Sequence, residues 1–434
     1  MNPTKRIIIC CDGTWNQPDI DPTNVVKLVR SIEPVAADGT QQVVFYDQGV
    51  GTGSKSDKLL GGAFGKGLAK NMLDCYRFLV HNYHEGDEIY TFGFSRGAYT
   101  SRAFAGFVYA IGLMKKSRLE QLPKAYQYYR TEPRKRPPSS YDDNPRPNIR
   151  MVGVWDTVGA LGAPTPLLGR FTKPWVGFFN THISPIIEYA YQALALDEQR
   201  TTFRPDLWTG TVEPHQTVEQ CWFRGVHSDI GGGYKESGLS DIALFWMVGK
   251  AQDLGLEVDT DYLRHICHPN PNMAAHDSFS TGYKLLEKLK VKPLIRNVYG
   301  EQEDERTRPL NVTIHDTVMT AIRSGHYLPQ NFDFPFPEEV VDQPESDHDY
   351  HERRHETRHT VNHVEAEVAL APDAQPLSCE LLDYSLKGGV RIRTNQPIQA
   401  GAKVQIASDF FDPTEAVCVW TKEQDHGLAF EKAA

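Results

Sequence analysis

Apolar positions along this chain follow one rhythm up to about residue 331 and another beyond about residue 352. In the first part, short, mostly apolar runs alternate with stretches of helical period. Arg6–Cys11, Gln42–Tyr46, Ile89–Phe94, Ile149–Trp155 and Gln220–Val226 are such runs. Runs of this length fit parallel strands buried on both faces. Helical spacing fills Thr23–Ile32, Gly65–Tyr83, Ala103–Met114 and Ser240–Leu254. The alternation predicts an α/β domain over residues 1–331, with a mostly parallel sheet and helices on both faces. Lys115–Arg150, polar and proline-bearing, is expected to be a surface excursion. Residues 160–210 are expected to form an insertion. Its apolar stretch Leu167–Phe179 is read as a lid or acyl-chain surface, or else as packing on the sheet.

Residues 332–352, rich in proline and acid, read as a linker. Beyond it Val390/Ile392, Val404/Ile406, Val417/Val419 and Leu428/Phe430 alternate with polar neighbours. That period predicts a small all-β barrel or sandwich over residues 353–434.

The strand at Ile89 ends in Gly93-Phe-Ser-Arg-Gly97, which fits G-x-S-x-G, and an apolar segment of helical length follows. A serine on a sharp strand-to-helix turn leaves no room for side chains two residues either side, hence the glycines. Its hydroxyl stands at a helix N-terminus, where the Arg96 amide and the helix dipole can face an oxyanion. A serine needs a base, and the base needs an acid to fix its tautomer. In an open parallel sheet both should lie at the carboxyl ends of strands. Asp156 and His227 stand at such ends, downstream of Ser95, in the chain order of α/β-hydrolases. Asp229 is the rival acid, but its place beside His227 suits bracing the glycine turn. Gly13 and Thr14, after the first strand, are candidates for the second oxyanion donor. An aspartate partner is expected to raise His227 above the free imidazole value of about 6.5.

Hydrophobic content of 40% supports a real core, and the formal charge of −10 speaks against general binding of DNA or RNA. The 7 cysteines are scattered without a C-x-x-C pair, so no disulfide framework is expected. Cys10 and Cys11 are read as packed, reduced thiols. No apolar signal segment precedes the first strand, and a cytoplasmic location is expected. The run Gly61–Gly67 lacks the phosphate-loop spacing and reads as a loop entering a helix. His351, His355, His359 and His363 recur every four residues, as metal ligands on a helix would. A different reading of that stretch, given below, is preferred, and no metal site is assigned.

Four motifs resemble one family: Cys11–Asn16, Gly93–Ala98, Gly153–Val158 and Phe223–Tyr234. It is the bacterial and fungal α/β-hydrolase domain that includes phospholipase effectors of type VI secretion. The resemblance spans about residues 5–331. It implies a serine, aspartate and histidine triad at Ser95, Asp156 and His227, with cleavage of phospholipid acyl esters. Arg353-Arg-x-x-x-Arg358 followed by Asp383-x-Ser385-x-x-Gly388 resembles the PilZ domain, a bacterial receptor for cyclic di-GMP. This implies that Arg353, Arg354, Arg358, Asp383, Ser385 and Gly388 bind that dinucleotide. Arginine forks suit phosphate and the guanine edge.

The combined expectation is a serine ester hydrolase without a catalytic cofactor. Its substrate would be a phospholipid, lysophospholipid or other lipid ester. Cyclic di-GMP would be the regulatory ligand, and contact with a membrane surface would be transient. Two alternatives stand beside it: a ligand-responsive partner-binding protein on a non-catalytic hydrolase scaffold, and a secreted antibacterial lipase.

Overall fold

The structure is a computed structural model that describes residues 5–13, 20–49, 61–139, 141–159, 182–278, 294–298, 309–323, 327, 329, 359–369, 376–385, 389–399, 401–408, 411–422 and 425–430. The chain divides into two compact units, Met1–Phe336 and Pro337–Ala434. The proposed linker and the apolar stretch Leu167–Phe179 lie outside the described residues.

The first unit is built on a seven-stranded sheet in the order β2-β1-β3-β4-β5-β6-β7. The strands are β1 (Lys5–Cys11), β2 (Gln41–Asp47), β3 (Glu88–Phe94), β4 (Ile149–Trp155), β5 (Ile187–Ala195), β6 (Thr217–Phe223) and β7 (Val312–Ile314). Every neighbouring pair is parallel. The unbroken apolar run of β1 has a direct cause. Ile7, Ile9 and Cys11 face a core shared with α2 (Gly61–Asn82) and α3 (Arg96–Ile111), contributed by Met72, Tyr76, Phe104 and Phe107. Ile8 and Cys10 face the opposite core, with Val25 and Leu28 of α1 (Asn24–Ser31) and with Leu244 and Met247 of the helix Gly238–Asp253. Adjacent cysteines can thus both be buried, because successive strand residues point to opposite faces. All seven cysteines are buried free thiols.

Three elements depart from the sequence pattern. β5 lies between β4 and β6, inside the segment expected to be an insertion. Its sequence, IEYAYQALA, mixes the strand formers Ile and Tyr with Ala and Glu, which are depleted in strands; strand neighbours on both sides decide its state. The expected surface excursion contains α4 (Leu122–Arg130), whose Leu122, Ala125 and Tyr129 are buried in the α2/α3 core. The glycine run at 61–67, expected to be a loop, forms the first turns of α2. The packed face further along, at Leu68, Met72, Cys75 and Leu79, offsets the weak helix propensity of glycine.

Sheet order reverses beside β1: the chain leaves it for β2 on one side and returns to β3 on the other. The crevice at the carboxyl ends of β1 and β3 is therefore a topological switch point, where open α/β sheets place their ligands.

The second unit is a closed antiparallel barrel, β10-β13-β12-β11-β8-β9. Its strands are β8 (His359–Ala369), β9 (Leu377–Ser385), β10 (Gly389–Arg393), β11 (Lys403–Ser408), β12 (Phe411–Lys422) and β13 (Asp425–Phe430). Val390, Ile392, Val404, Ile406 and Leu428 point into it, as the period of two requires. β12 has the opposite phase to the one expected: Ala416 and Cys418 are inside, and Val417 and Val419 only half-buried. Small residues line that wall, and the register shifts between Cys418 and Trp420. His359 and His363 belong to strand β8, so helical spacing does not apply to them.

Candidate active site

β3 delivers Ser95 into α3 through a turn with no slack. Ser95 has φ 59° and ψ −120°, a conformation costly for any residue but glycine. Its N–H donates to the Trp155 carbonyl at 3.0 Å, which ties the turn to the end of β4. A Cβ on Gly97 would lie 2.1 Å from the Cys11 carbonyl oxygen, and one on Gly93 would lie 2.5 Å from the Gly97 carbonyl oxygen. Both glycines of G-x-S-x-G are thus required by close backbone approach.

Ser95, His227 and Asp156 form one hydrogen-bonded chain. Ser95 Oγ is 2.8 Å from His227 Nε2, and His227 Nδ1 is 2.5 Å from Asp156 Oδ2. These residues come from the ends of β3, β6 and β4, and all three are buried. Asp156 also sits at positive φ, 39°; with Ser95 and Asn311 it is one of three such non-glycine residues among those described. The imidazole of His227 is held between two rings, Phe94 at 4.6 Å and Phe203 at 4.8 Å between centroids. Gly231 makes room for this arrangement, since a Cβ there would meet the Phe94 ring at 2.0 Å. The His227 N–H donates to Glu198 Oε2 at 3.2 Å, and Glu198 is gripped through both carboxylate oxygens by Arg200.

Electrostatics at the relay run against one expectation. Burial lowers His227 below its ordinary value, and the Asp156 hydrogen bond offsets this only in part. The expected rise is therefore corrected: withdrawing a charged imidazolium from water costs more than the carboxylate returns. Burial alone would push Asp156 up. The Arg296 guanidinium, with His227, outweighs burial and holds this carboxyl well below the usual range.

Arg296 gave no signal in the sequence pattern. Its Nη1 donates to Asp156 Oδ1 at 2.6 Å and to the Ala195 carbonyl at 2.7 Å. Its Nη2 donates to Asp156 Oδ2 at 3.0 Å and to the Phe203 carbonyl at 2.5 Å. The Ala195 N–H adds a bond to Asp156 Oδ1 at 3.0 Å. No local spacing could expose a contact between residues 140 apart in the chain.

The oxyanion candidates divide. Arg96 heads α3, so its amide belongs to the helix end that faces the serine turn. The Gly13 N–H is engaged, donating to Asp12 Oδ1 at 2.7 Å. The buried Asp12 carboxylate needs donors, and it also takes the hydroxyls of Thr23 and Tyr46, each at 2.9 Å. Thr14 lies outside the described residues. The rival acid Asp229 is turned elsewhere, accepting from the Val226 N–H at 3.0 Å and from His276 Nδ1 at 2.6 Å.

Among the described residues one group could hold a metal: Cys11, Asp47 and Cys75, with ligand atoms within 4.8 Å of one another. The Cys75 thiol is pushed well up by its hydrogen bond to Cys11 and by burial, which disfavours the thiolate a metal needs. In the barrel, Arg353, Arg354, Arg358 and Gly388 lie outside the described residues. Asp383 and Ser385 are in β9, and their side chains lie outside the description as well.

The model of the catalytic domain of Tle1-like phospholipase effectors of type VI secretion matches residues 5–250, more than half of the chain. The chain belongs to this family. The PilZ domain model matches residues 352–433. An uncharacterized protein of Saccharomyces cerevisiae is 29% identical over 263 residues, 50% of this chain and 36% of that protein. The chain thus spans about a third of the length of this relative. Among solved structures, an uncharacterized protein from Pseudomonas aeruginosa is 18% identical, with a TM-score of 0.41, over 62% of this chain and 49% of that one. The Tle1 effector bound to the VgrG spike is 19% identical, with a TM-score of 0.32, over 55% and 53% of the two chains. Thermogutta terrifontis esterase 2 is 11% identical, with a TM-score of 0.35, over 59% and 85%. Among the described residues, no helix of this Tle1-like chain is long and apolar enough to cross a membrane.

Proposed function

We propose that this protein is a serine ester hydrolase acting on phospholipid or lysophospholipid acyl esters, and that cyclic di-GMP bound to its PilZ domain controls it. The observation that supports the hydrolase reading is the relay of 2.8 and 2.5 Å that ends on a serine held at φ 59°. Family membership supports the lipid substrate, and the PilZ match supports the dinucleotide.

In this reading Ser95 Oγ attacks the ester carbonyl carbon and passes its proton to His227 Nε2. Asp156 keeps the Nδ1 proton on the far side of the ring and stabilises the imidazolium. The Arg96 amide, at the positive end of α3, donates to the oxygen that gains charge; Thr14 remains the candidate for a second donor. His227 then protonates the departing alcohol oxygen, leaving an acyl group on Ser95. Water activated by the same imidazole releases the acid and restores the serine. The rings of Phe94 and Phe203 keep bulk water from the imidazole.

The test is product analysis with the purified full chain on a short soluble ester and on phospholipid vesicles, with and without cyclic di-GMP. Wild type should hydrolyse both, and Ser95→Ala neither. Full turnover by Ser95→Ala would end the reading. For the receptor half, calorimetric titration of the full chain should give saturable binding that Arg358→Ala weakens by about tenfold or more, the loss of one charged hydrogen bond. No heat at high micromolar dinucleotide would remove the ligand while leaving the hydrolase. Membership in an effector family also favours the secreted antibacterial lipase; a cognate protein that neutralises the activity would distinguish it.

A further inference from the structure

We infer that Arg296 is a positioning residue of the relay: its fork fixes the Asp156 carboxylate, and its charge, opposing that of the carboxylate, adds to burial in keeping His227 a neutral base. This rests on the hydrolase reading above, and it assigns a role to a residue outside the matched segment 5–250.

The geometry is that of a clamp. Each nitrogen of the fork reaches one Asp156 oxygen, and each also donates to a backbone carbonyl, of Ala195 or of Phe203. The guanidinium therefore joins the end of β4, the end of β5 and the loop that presents Phe203 to the imidazole. Both side chains are fully buried, at 0% exposure. The short strap that carries Arg296 is fixed on either side. The Leu294 N–H donates to the Gln199 carbonyl at 2.8 Å, and Val298 packs with Leu194, Leu196 and Trp222.

The charge matters because these side chains are buried. A lone buried carboxylate at 2.5 Å from the ring would strongly favour imidazolium, which cannot accept the serine proton. With the guanidinium bound to that carboxylate, the pair is close to neutral and the imidazole remains neutral to lower pH. Among the described residues, the other charged groups acting on His227 are Glu198 and Arg200, themselves a bidentate pair after β5. On its own element, Asp229 is engaged by His276. The uncharged rings of Phe94, tilted at 32°, and Phe203, edge-on at 73°, also pack against the imidazole. Arg296 is thus the cation that directly opposes the acid of the relay.

The experiment titrates the His227 ring by proton–nitrogen NMR in the full chain labelled at histidine, its signal assigned by its absence in His227→Ala. Arg296→Gln should raise the midpoint by about one pH unit or more. Arg296→Lys should keep the midpoint near wild type, because the charge remains. On a short soluble ester, turnover should fall about tenfold to a hundredfold in Arg296→Gln, with KM little changed, and less in Arg296→Lys. The activity–pH profile should shift in step with the ring titration. A folded Arg296→Gln with an unmoved His227 midpoint would overturn the inference. So would Arg296→Lys with wild-type turnover, since the fork would then orient nothing; this variant decides the matter if the glutamine protein fails to fold. The ring titration needs no turnover, so an inactive wild type whose midpoint still moves would refute the hydrolase reading and keep the clamp.

Discussion

Two regions of the first unit hold the same pair of side chains and differ in what surrounds it. Asp156 meets His227 Nδ1 at 2.5 Å, and Asp229 meets His276 Nδ1 at 2.6 Å. In the first, the other ring nitrogen reaches a serine at 2.8 Å, and an arginine fork neutralises the carboxylate. In the second, the imidazole stacks on Tyr234 at 3.9 Å between centroids, and its far nitrogen lies 3.7 Å from Glu236. There the carboxylate also caps the five-residue helix His227–Gly231 through the Val226 N–H. An Asp–His pair is therefore not a site in itself, and the second imidazole is only half-buried. The two differ in the group at the far nitrogen and in the charge beside the acid, and on these rests the proposal that the first is a proton relay and the second a brace.

The comparison can be broken most sharply at the relay. Ser95→Ala or His227→Ala should each lower turnover number by about 10⁴-fold or more, because such residues act as a unit. Asp156→Asn should cost a similar or somewhat smaller factor, since the amide favours the wrong tautomer. At the brace, Asp229→Asn should leave turnover within about tenfold, yet lower thermal stability by about 1–3 kcal/mol through unsatisfied donors. A calorimetric melt together with an ester assay separates the two effects, and a loss of turnover as large as that of Asp156→Asn would erase the distinction.

The pH profile sharpens the comparison further. In the proposed reaction His227 accepts the serine proton only when neutral, and burial lowers its pKa. The rate should therefore fall on acidification with a midpoint below the free imidazole value of about 6.5, and hold level above it. A midpoint well above that value would show the carboxylate winning over burial. The smallest effect is expected of His276→Ala, which should leave that midpoint where it is.

Much of the relay was legible in the sequence because its residues end strands that are unmistakably apolar. β1 reads as a strand since both of its faces are covered, and G-x-S-x-G reads as a turn since its glycines answer to backbone contacts. What was not legible depends on contacts across the chain. β5 carries Glu188 and Gln192 among alanines and is a strand through its neighbours. The phase of β12 was misread because valine outranks alanine and cysteine in hydrophobicity, whereas the narrow barrel takes the smaller pair. The Gly13 amide looked available until the neighbouring carboxylate, buried and in need of donors, claimed it. The candidate dinucleotide motif of the second unit is the reverse case. Its residues are plain in the sequence, and their side chains lie outside the described residues.

The strap that carries Arg296 has a consequence for where the catalytic part of such a protein ends. A chain cut after residue 250 would retain Ser95, Asp156 and His227 and would satisfy the family match. It would also strand a buried carboxylate without its cation, at a cost of about 3–5 kcal/mol. It would lose as well β7 and the packing of Val298 and Val318 beside β5 and β6. Sequence similarity and physical self-sufficiency thus draw different borders on this chain. A fragment trimmed to the first border should fold poorly, whatever chemistry its three matched residues could perform.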